Sequence, residues 1–158
     1  MPVVHRAEVE WIGGLMDGEG KVVSTTSGTL PELDVTWAAR VDEDVPQATP
    51  EELLAAAHAS CFAMQFTSGL VGSGWEPEEM QVECAVSFEV GMGITQSALT
   101  ARVTVDGLTD EQIFEIAQRA KIMCPISRAL TGVEVTLDMP DLVLEDEEEE
   151  PEEGVSAD

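Results

Sequence analysis

The chain is poor in basic residues, and this shortage limits the partners that it can bind. Its 158 residues include 7 lysines and arginines against 32 acidic residues, for a net charge of -25. Binding to nucleic acid or to an anionic membrane surface depends on basic side chains that neutralise phosphates and release counterions. We therefore expect neither nucleic acid nor membrane as a partner.

Long apolar runs and a secretion signal are also missing. No hydrophobic stretch approaches the roughly 20 residues that a membrane-spanning helix needs. The N-terminus, MPVVHRAEVEW, lacks the basic, apolar and small-residue segments of a signal peptide. These features predict a cytoplasmic protein. Cysteine is scarce, with three in the chain, and in a reducing cytosol so few indicate core packing, metal binding or redox chemistry instead of a disulfide framework.

The hydrophobic pattern predicts an α+β fold with one domain. We expect this domain to cover residues 1–140 and an acidic, disordered tail to cover residues 141–158. Short segments of alternating or β-branched residues indicate strands. These predicted strands cover residues 3–12, 21–27, 34–41, 81–90, 94–105 and 133–139.

A long helix is predicted from residue 50 to about residue 70. Thr49 is a typical N-cap, Pro50 suits the first helical position, and Glu52 completes a capping box. The apolar residues of this segment point in all directions, so the helix should be buried on most sides. It contains His58 and, three residues later, Cys61.

A second helix is predicted from a similar capping pair, Thr109 and Gln112, to a point near Cys124. Pro125 follows and could open a further short helix. The sulfur of Cys124 would then lie near free N–H groups at a helix start, which lowers the pKa of a thiol. Alternatively, Cys124 only completes the apolar stripe of the second helix.

The residues alone leave several interpretations open. Cys84 lies on the apolar face of a predicted strand, where packing explains it. His58 is interpreted as a packing residue, with tuning of Cys61 as the alternative. A metal site built from His58, Cys61 and Cys124 would have three ligands but none of the usual metal-binding spacings, so we expect neither a metal nor a cofactor.

Two segments, TPEELLAAAHASCFAM and AKIMCPISRAL, resemble the two cysteine motifs of the OsmC/Ohr family. This family contains the osmotically inducible protein C and the organic hydroperoxide resistance proteins. The segment VEWIGGLMDGEGKVVSTTSGTL is similar to the N-terminus of the OsmC branch, so the resemblance covers about residues 5–138. It implies an α+β, OsmC-like fold with antiparallel sheets around two central helices, in an intertwined homodimer with active sites at the subunit interface.

The resemblance also implies an activity, that of a thiol-dependent peroxidase that reduces organic hydroperoxides. Cys61 matches the peroxidatic cysteine and Cys124 the resolving cysteine. Arg40, in TWAARVDED, matches the arginine of the OsmC branch, and Glu51 matches the glutamate that accompanies it. An external dithiol, for example of the lipoyl type, would reduce the resulting disulfide. A thiol redox sensor and a ligand-binding family member without turnover are the alternatives.

The spacing of two of these residues predicts a site shared by two chains. Glu51 and Cys61 are ten residues apart, which is about 15 Å along a straight helix. They cannot meet in one small site on one rigid helix. Either the helix bends or two chains contribute to the site. The second option agrees with the homodimer that the resemblance implies, and we predict that Arg40 and Glu51 approach Cys61 from the partner subunit.

Overall fold

Short sheets and helices follow one another through residues 1–144, the part of the chain that this computed structural model describes. This order confirms the predicted α+β fold class. The elements are β1 Ala7–Ile12, β2 Glu19–Thr25, β3 Leu33–Val35, α1 Trp37–Val41, α2 Pro50–Gly72, β4 Glu79–Glu89, β5 Gly93–Thr104, α3 Asp110–Met123, α4 Pro125–Ala129 and β6 Glu134–Asp138.

The first three strands form an antiparallel sheet in the order β1-β2-β3. This sheet makes few contacts with the rest of the described chain. The apolar side chains of β1 are consequently exposed, among them Val9, Trp11 and Ile12. A further protein chain that covered this exposed apolar surface would stabilise the sheet.

The predicted strand over residues 34–41 is wrong for most of its length. The strand covers Leu33–Val35 only, and Thr36 then caps a short helix, α1, by accepting a hydrogen bond from the backbone N–H of Ala39 at 3.2 Å. The cap stops the strand because its side chain satisfies a free N–H of the first helical turn. Arg40 therefore lies on a helix.

Helix α2 begins as predicted. The Thr49 hydroxyl accepts from the Glu52 N–H at 3.1 Å, and the Glu52 carboxylate accepts from the Thr49 N–H at 2.9 Å. The helix buries one face, which carries Phe62 and Phe66. The opposite face is exposed in the single chain, with Met64 at 72% exposure. Burial on most sides, as predicted from composition, is therefore not reached within one chain.

The second sheet has the order β4-β5-β6 and packs against α2, which also contacts α3. Strands β4 and β5 form the predicted hairpin, and side chains alternate between exposed and half-buried along β4. Strand β6 runs parallel to β5, an exception to the antiparallel sheets expected. The intervening α3 and α4 supply the crossover that parallel strands need. The buried core consists of Phe62, Phe66, Leu70, Leu99, Ala101, Ile113, Ala117, Ala120, Cys124 and Met139.

The end of the described chain stays attached to this core. Leu142 packs against the core, and the backbone N–H of Val143 donates to the Asp110 carboxylate at 2.8 Å. The predicted disordered tail falls mainly on residues 145–158, which lie outside the described residues. None of the helices in residues 1–144 has the length and apolar character to cross a membrane.

Candidate active site

Cys61 and Cys124 lie next to each other although 62 residues separate them in the sequence. Helix α2 carries Cys61, one residue before the fully buried Phe62. Cys124 ends α3 and precedes Pro125, the first residue of α4. Because a residue before proline avoids helical geometry, the chain is extended at Cys124, with φ -57° and ψ 122°. This break turns α4 toward the Cys61 thiol.

The surroundings shift the pKa values of the two thiols in opposite directions. Burial raises the pKa of Cys61, and the adjacent Cys124 raises it further, while the backbone N–H of Ile126 opposes both effects. Burial alone would also raise the pKa of Cys124, but the nearby Ser127 N–H, Cys61 thiol and Ser127 hydroxyl outweigh burial. The pKa of Cys124 is therefore lowered, as its position before α4 predicted.

Arg40 and Glu51 form a clasp at the start of α2. The Nε and Nη2 atoms of Arg40 donate to the same carboxylate oxygen of Glu51, at 2.9 and 2.7 Å. The guanidinium carbon lies 4.1 Å from the ring centre of Phe88 and 5.9 Å from that of Trp37. A guanidinium over aromatic faces is attracted by the negative face of each ring. These contacts hold Arg40 in one place on the surface.

The second carboxylate oxygen of Glu51 does not take part in the clasp. The residue is 7% exposed, and its Oε2 atom is buried without a hydrogen-bond partner in the described part of the chain. A buried carboxylate oxygen without a donor costs free energy. The clasp borders a cavity of about 460 Å³ that Val86, Ser87 and Phe88 also line.

The structure therefore brings the four predicted site residues together as two separate pairs. Cys61 and Cys124 form one pair, and Arg40 and Glu51 form the other. Cys61 does not line the cavity beside Arg40, and among the described residues no cation is one of the groups that shift its pKa. Helix α2 is uninterrupted between Glu51 and Cys61.

His58 belongs to a buried polar network that the sequence did not predict. Its Nδ1 lies 2.7 Å from the Ser97 hydroxyl, and its Nε2 lies 2.8 Å from the Ser127 hydroxyl. The Cys84 sulfur lies 3.3 Å from Ser97 and 3.8 Å from His58. Cys84 packs against the core as expected, yet it also ends this network. Burial lowers the pKa of His58, so its ring is neutral at pH 7.

Comparison with known proteins assigns the family. The profile of the OsmC-like protein family matches residues 42–138. Peroxiredoxin OsmC of Escherichia coli strain K12 is 34% identical over 141 residues, which cover 87% of this chain and 96% of that protein. The chain belongs to the OsmC family. The organic hydroperoxide resistance protein OhrA of Bacillus subtilis strain 168 is a more distant relative, with 29% identity over 84% of this chain and 94% of its own length.

Solved structures of the OsmC family share the fold. An organic hydroperoxide resistance protein OsmC from Legionella pneumophila superposes with a TM-score of 0.64 at 25% identity, over 87% of this chain and 98% of its own. An organic hydroperoxide resistance protein from Elizabethkingia anophelis gives 0.65 at 26% identity, over 88% and 98%. These likenesses confirm the predicted OsmC-like fold.

Proposed function

We propose that this OsmC-family protein is a thiol-dependent peroxidase that reduces organic hydroperoxides to alcohols. The observation that carries the proposal is the adjacency of Cys61 and Cys124, which are buried enough to be shielded and close enough to interact. The names of the OsmC and OhrA relatives, a peroxiredoxin and an organic hydroperoxide resistance protein, support it.

Each cysteine has one role in the proposed cycle. The Cys61 thiolate attacks the O–O bond, which breaks; the alcohol leaves after taking a proton, and Cys61 keeps the other oxygen as a sulfenic acid. The Cys124 thiolate then attacks that sulfur, so that an S–S bond forms and the hydroxide leaves as water. An external dithiol, of the lipoyl type that the resemblance implies, reduces this disulfide by exchange and is itself oxidised.

The first step requires Cys61 to be ionised, and a cation beside its sulfur would achieve this. Within the single chain, burial raises the pKa of the Cys61 thiol. Arg40 is the candidate cation because it is always charged and is held by Glu51 and Phe88. In the proposed site, Arg40 and Glu51 of one chain meet Cys61 of a second copy.

Several exposed surfaces support such a homodimer. Strand β1 leaves the apolar side chains of Val9, Trp11 and Ile12 uncovered, and the outer face of α2 leaves Met64 uncovered. The unpartnered Oε2 of Glu51 marks a place for a further donor. Patches of this kind typically bind another protein chain.

A reducing compartment suits the proposed cycle. All three cysteines are free thiols in the structure. Free thiols persist where cellular dithiols keep cysteines reduced, as in the cytoplasm.

The test is peptide-mapped mass spectrometry of the reduced protein after one equivalent of cumene hydroperoxide. We expect a disulfide between Cys61 and Cys124, and no oxidation of Cys84, since burial raises the pKa of its thiol. Cys124→Ser should instead stop at a Cys61 sulfenic acid that a 1,3-diketone reagent traps. Untouched thiols in the wild type would refute the peroxidase. Sustained peroxide consumption with a dithiol distinguishes an enzyme from a redox sensor, which would react once.

A further inference from the structure

Two pairs of side chains face each other where α4 packs against α2. The Nε2 atom of His58, on α2, lies 2.8 Å from the Ser127 hydroxyl, on α4. Cys61 comes three residues after His58 and lies beside Cys124, which comes three residues before Ser127. Three residues span about 4.5 Å along a helix. The hydrogen bond therefore lies about one helical turn from the cysteine pair.

His58 forms a hydrogen bond to Ser127 in either tautomer of its ring. A neutral imidazole has one donor and one acceptor nitrogen, whereas a hydroxyl both donates and accepts. The Nδ1 atom lies 2.7 Å from the Ser97 hydroxyl. Whichever nitrogen carries the proton, one serine donates to the ring and the other accepts from it. Because His58 is fully buried, loss of either hydroxyl leaves a ring nitrogen without its partner, which costs free energy.

Helix α4 depends on its contacts with other elements to keep its position. It has five residues, Pro125–Ala129, and none of them is buried. A helix this short is not stable alone in water. Ile126 gives α4 an apolar contact with the core, and Ser127 gives it a polar contact with α2 through His58. Ser97 on β5 holds the other side of the same ring, so α4 is joined to a side chain that is itself fixed.

The position of α4 determines where the Cys124 sulfur lies. Helix α4 begins directly after Cys124, at Pro125. A disulfide requires Cα atoms about 4.4–6.8 Å apart. A movement of α4 away from α2 would therefore leave Cys61 and Cys124 unable to form a bond, although their sulfurs are both free.

We propose that His58 and Ser127 are positioning residues for the disulfide between Cys61 and Cys124. Their hydrogen bond keeps α4 against α2 and so holds the two thiols opposite each other. The result is a high effective concentration, which is the concentration of one thiol that the other experiences within the folded chain. Its use in resolving a sulfenic acid rests on the proposed peroxidase cycle, whereas the positioning itself does not.

Exchange with glutathione measures this effective concentration without any peroxide. In a Cys84→Ser background, Cys61 and Cys124 are the remaining cysteines. As the S–S bond of glutathione disulfide breaks, the S–S bond between Cys61 and Cys124 forms, and the two protein thiols pass two electrons and two protons to two molecules of reduced glutathione. Mass spectrometry after acid quenching gives the equilibrium amounts.

The background protein supplies the first outcome. A short flexible chain gives an effective concentration in about the millimolar range. We expect a value well above this range, because the structure holds Cys61 and Cys124 together across 62 intervening residues. A value in the millimolar range or below would overturn the proposal with His58 and Ser127 unchanged.

Variants at Ser127 supply the second outcome. Ser127→Ala removes the hydroxyl from α4 and should lower the effective concentration about tenfold, as expected for one hydrogen bond to a buried group. Ser127→Thr keeps the hydroxyl and should retain the background value. Ser127→Val has nearly the shape of the threonine variant without its hydroxyl, so this pair repeats the test. An unchanged or higher value in Ser127→Ala would overturn the positioning role.

Ser97→Ala is the matched control. It removes the other hydroxyl that bonds the His58 ring, but from β5 and not from α4. The bond between α2 and α4 remains, so the effective concentration should stay at the background value. A role in general stability alone would lower the value in both alanine variants. Equal losses in Ser97→Ala and Ser127→Ala would therefore overturn the proposal.

The outcomes separate this inference from the proposed function. The expected glutathione equilibria in a protein that consumes no peroxide would support the positioning role and refute the peroxidase. Peroxide consumption by a protein whose Ser127→Ala variant shows the background equilibrium would support the peroxidase and refute the positioning role.

Discussion

Protonation of His58 opposes folding. Burial lowers the pKa of its ring below the ordinary value of 6.5, so on acidification the unfolded chain binds this proton first. The contribution to stability is complete above pH 6.5 and is lost as the pH falls below 6.5 toward the folded pKa. We expect the free energy of unfolding in urea to decrease over this range, by up to about 1.4 kcal/mol per pH unit from this residue.

Two variants isolate this contribution from that of the many carboxylates. His58→Gln removes the titration and should give a flatter pH dependence than the wild type. His5→Gln makes the same substitution at an exposed histidine and is the matched control. Equal slopes for the wild type and His58→Gln would contradict the assignment.

The clasp of Arg40 requires a guanidinium. A lysine at this position ends in a single nitrogen. It cannot donate to the Glu51 oxygen from two nitrogens, as Arg40 does, and also place a guanidinium over the Phe88 ring. In the proposed function, Arg40→Lys should slow the oxidation of Cys61 by cumene hydroperoxide roughly tenfold, since a thiol pKa higher by about one reduces the thiolate fraction by that factor. Stopped-flow measurement of the first turnover gives the rate.

Arg102→Lys is the matched control for that experiment. Arg102 pairs with Asp141 at 3.5 Å, and both side chains are largely exposed. The same change of arginine to lysine should therefore leave the oxidation rate at the wild-type value. Equal rates for the two variants would argue against a role for Arg40 at Cys61.

The start of α2 is stabilised by two reciprocal hydrogen bonds between Thr49 and Glu52. Thr49→Ala removes the hydroxyl that satisfies the Glu52 N–H and should destabilise the protein by about 1 kcal/mol. Thr49→Ser keeps the hydroxyl and should lose much less. Urea unfolding of both variants measures the difference, and an equal loss in the two would indicate that packing of the Thr49 methyl group, not the cap, is responsible.

Local signals predicted those elements whose start is encoded by neighbouring residues. The capping pairs Thr49 and Glu52, and Thr109 and Gln112, gave the starts of α2 and α3, and Pro125 gave the start of α4. The pattern of residues 34–41 predicts a strand, but Thr36 caps a helix at this point, which the apolar pattern does not indicate. Strand β6 is parallel to β5 because of the path that α3 and α4 take between them. A local sequence pattern does not predict this path.

A local signal predicted the direction of one pKa shift in the candidate site. The lowered pKa of Cys124 follows from its position before Pro125. The partners of His58 could not be predicted, because Ser97 and Ser127 are 39 and 69 residues away along the chain. A buried histidine in an apolar helix signals that some partner exists, but only the fold determines which one.

The proposed site, shared between two subunits, predicts complementation between two inactive variants. In an Arg40→Ala and Cys61→Ser heterodimer, one site combines the intact Arg40 of one chain with the intact Cys61 of the other. Co-expression in equal amounts should give roughly a quarter of the wild-type peroxidase activity, because half of the dimers are mixed and each has one working site. Activity is measured as dithiol-dependent loss of cumene hydroperoxide.

Cys61→Ser with Cys124→Ser is the matched control pair. These two cysteines lie together within one chain, so their variants should not complement. No recovery in the first mixture would refute the site shared between subunits, and recovery in the second would refute the disulfide within one chain.

Helix α2 separates Glu51 from Cys61 within one chain. In the proposed two-chain site, this separation makes peroxidase activity depend on the abundance of the protein. If every working site takes parts from two chains, the number of sites below the dimer dissociation constant rises with the square of the chain concentration. Doubling expression would then nearly quadruple the capacity, while dilution would silence it. A cell could thus turn a modest change in transcription into a steep change in peroxide clearance.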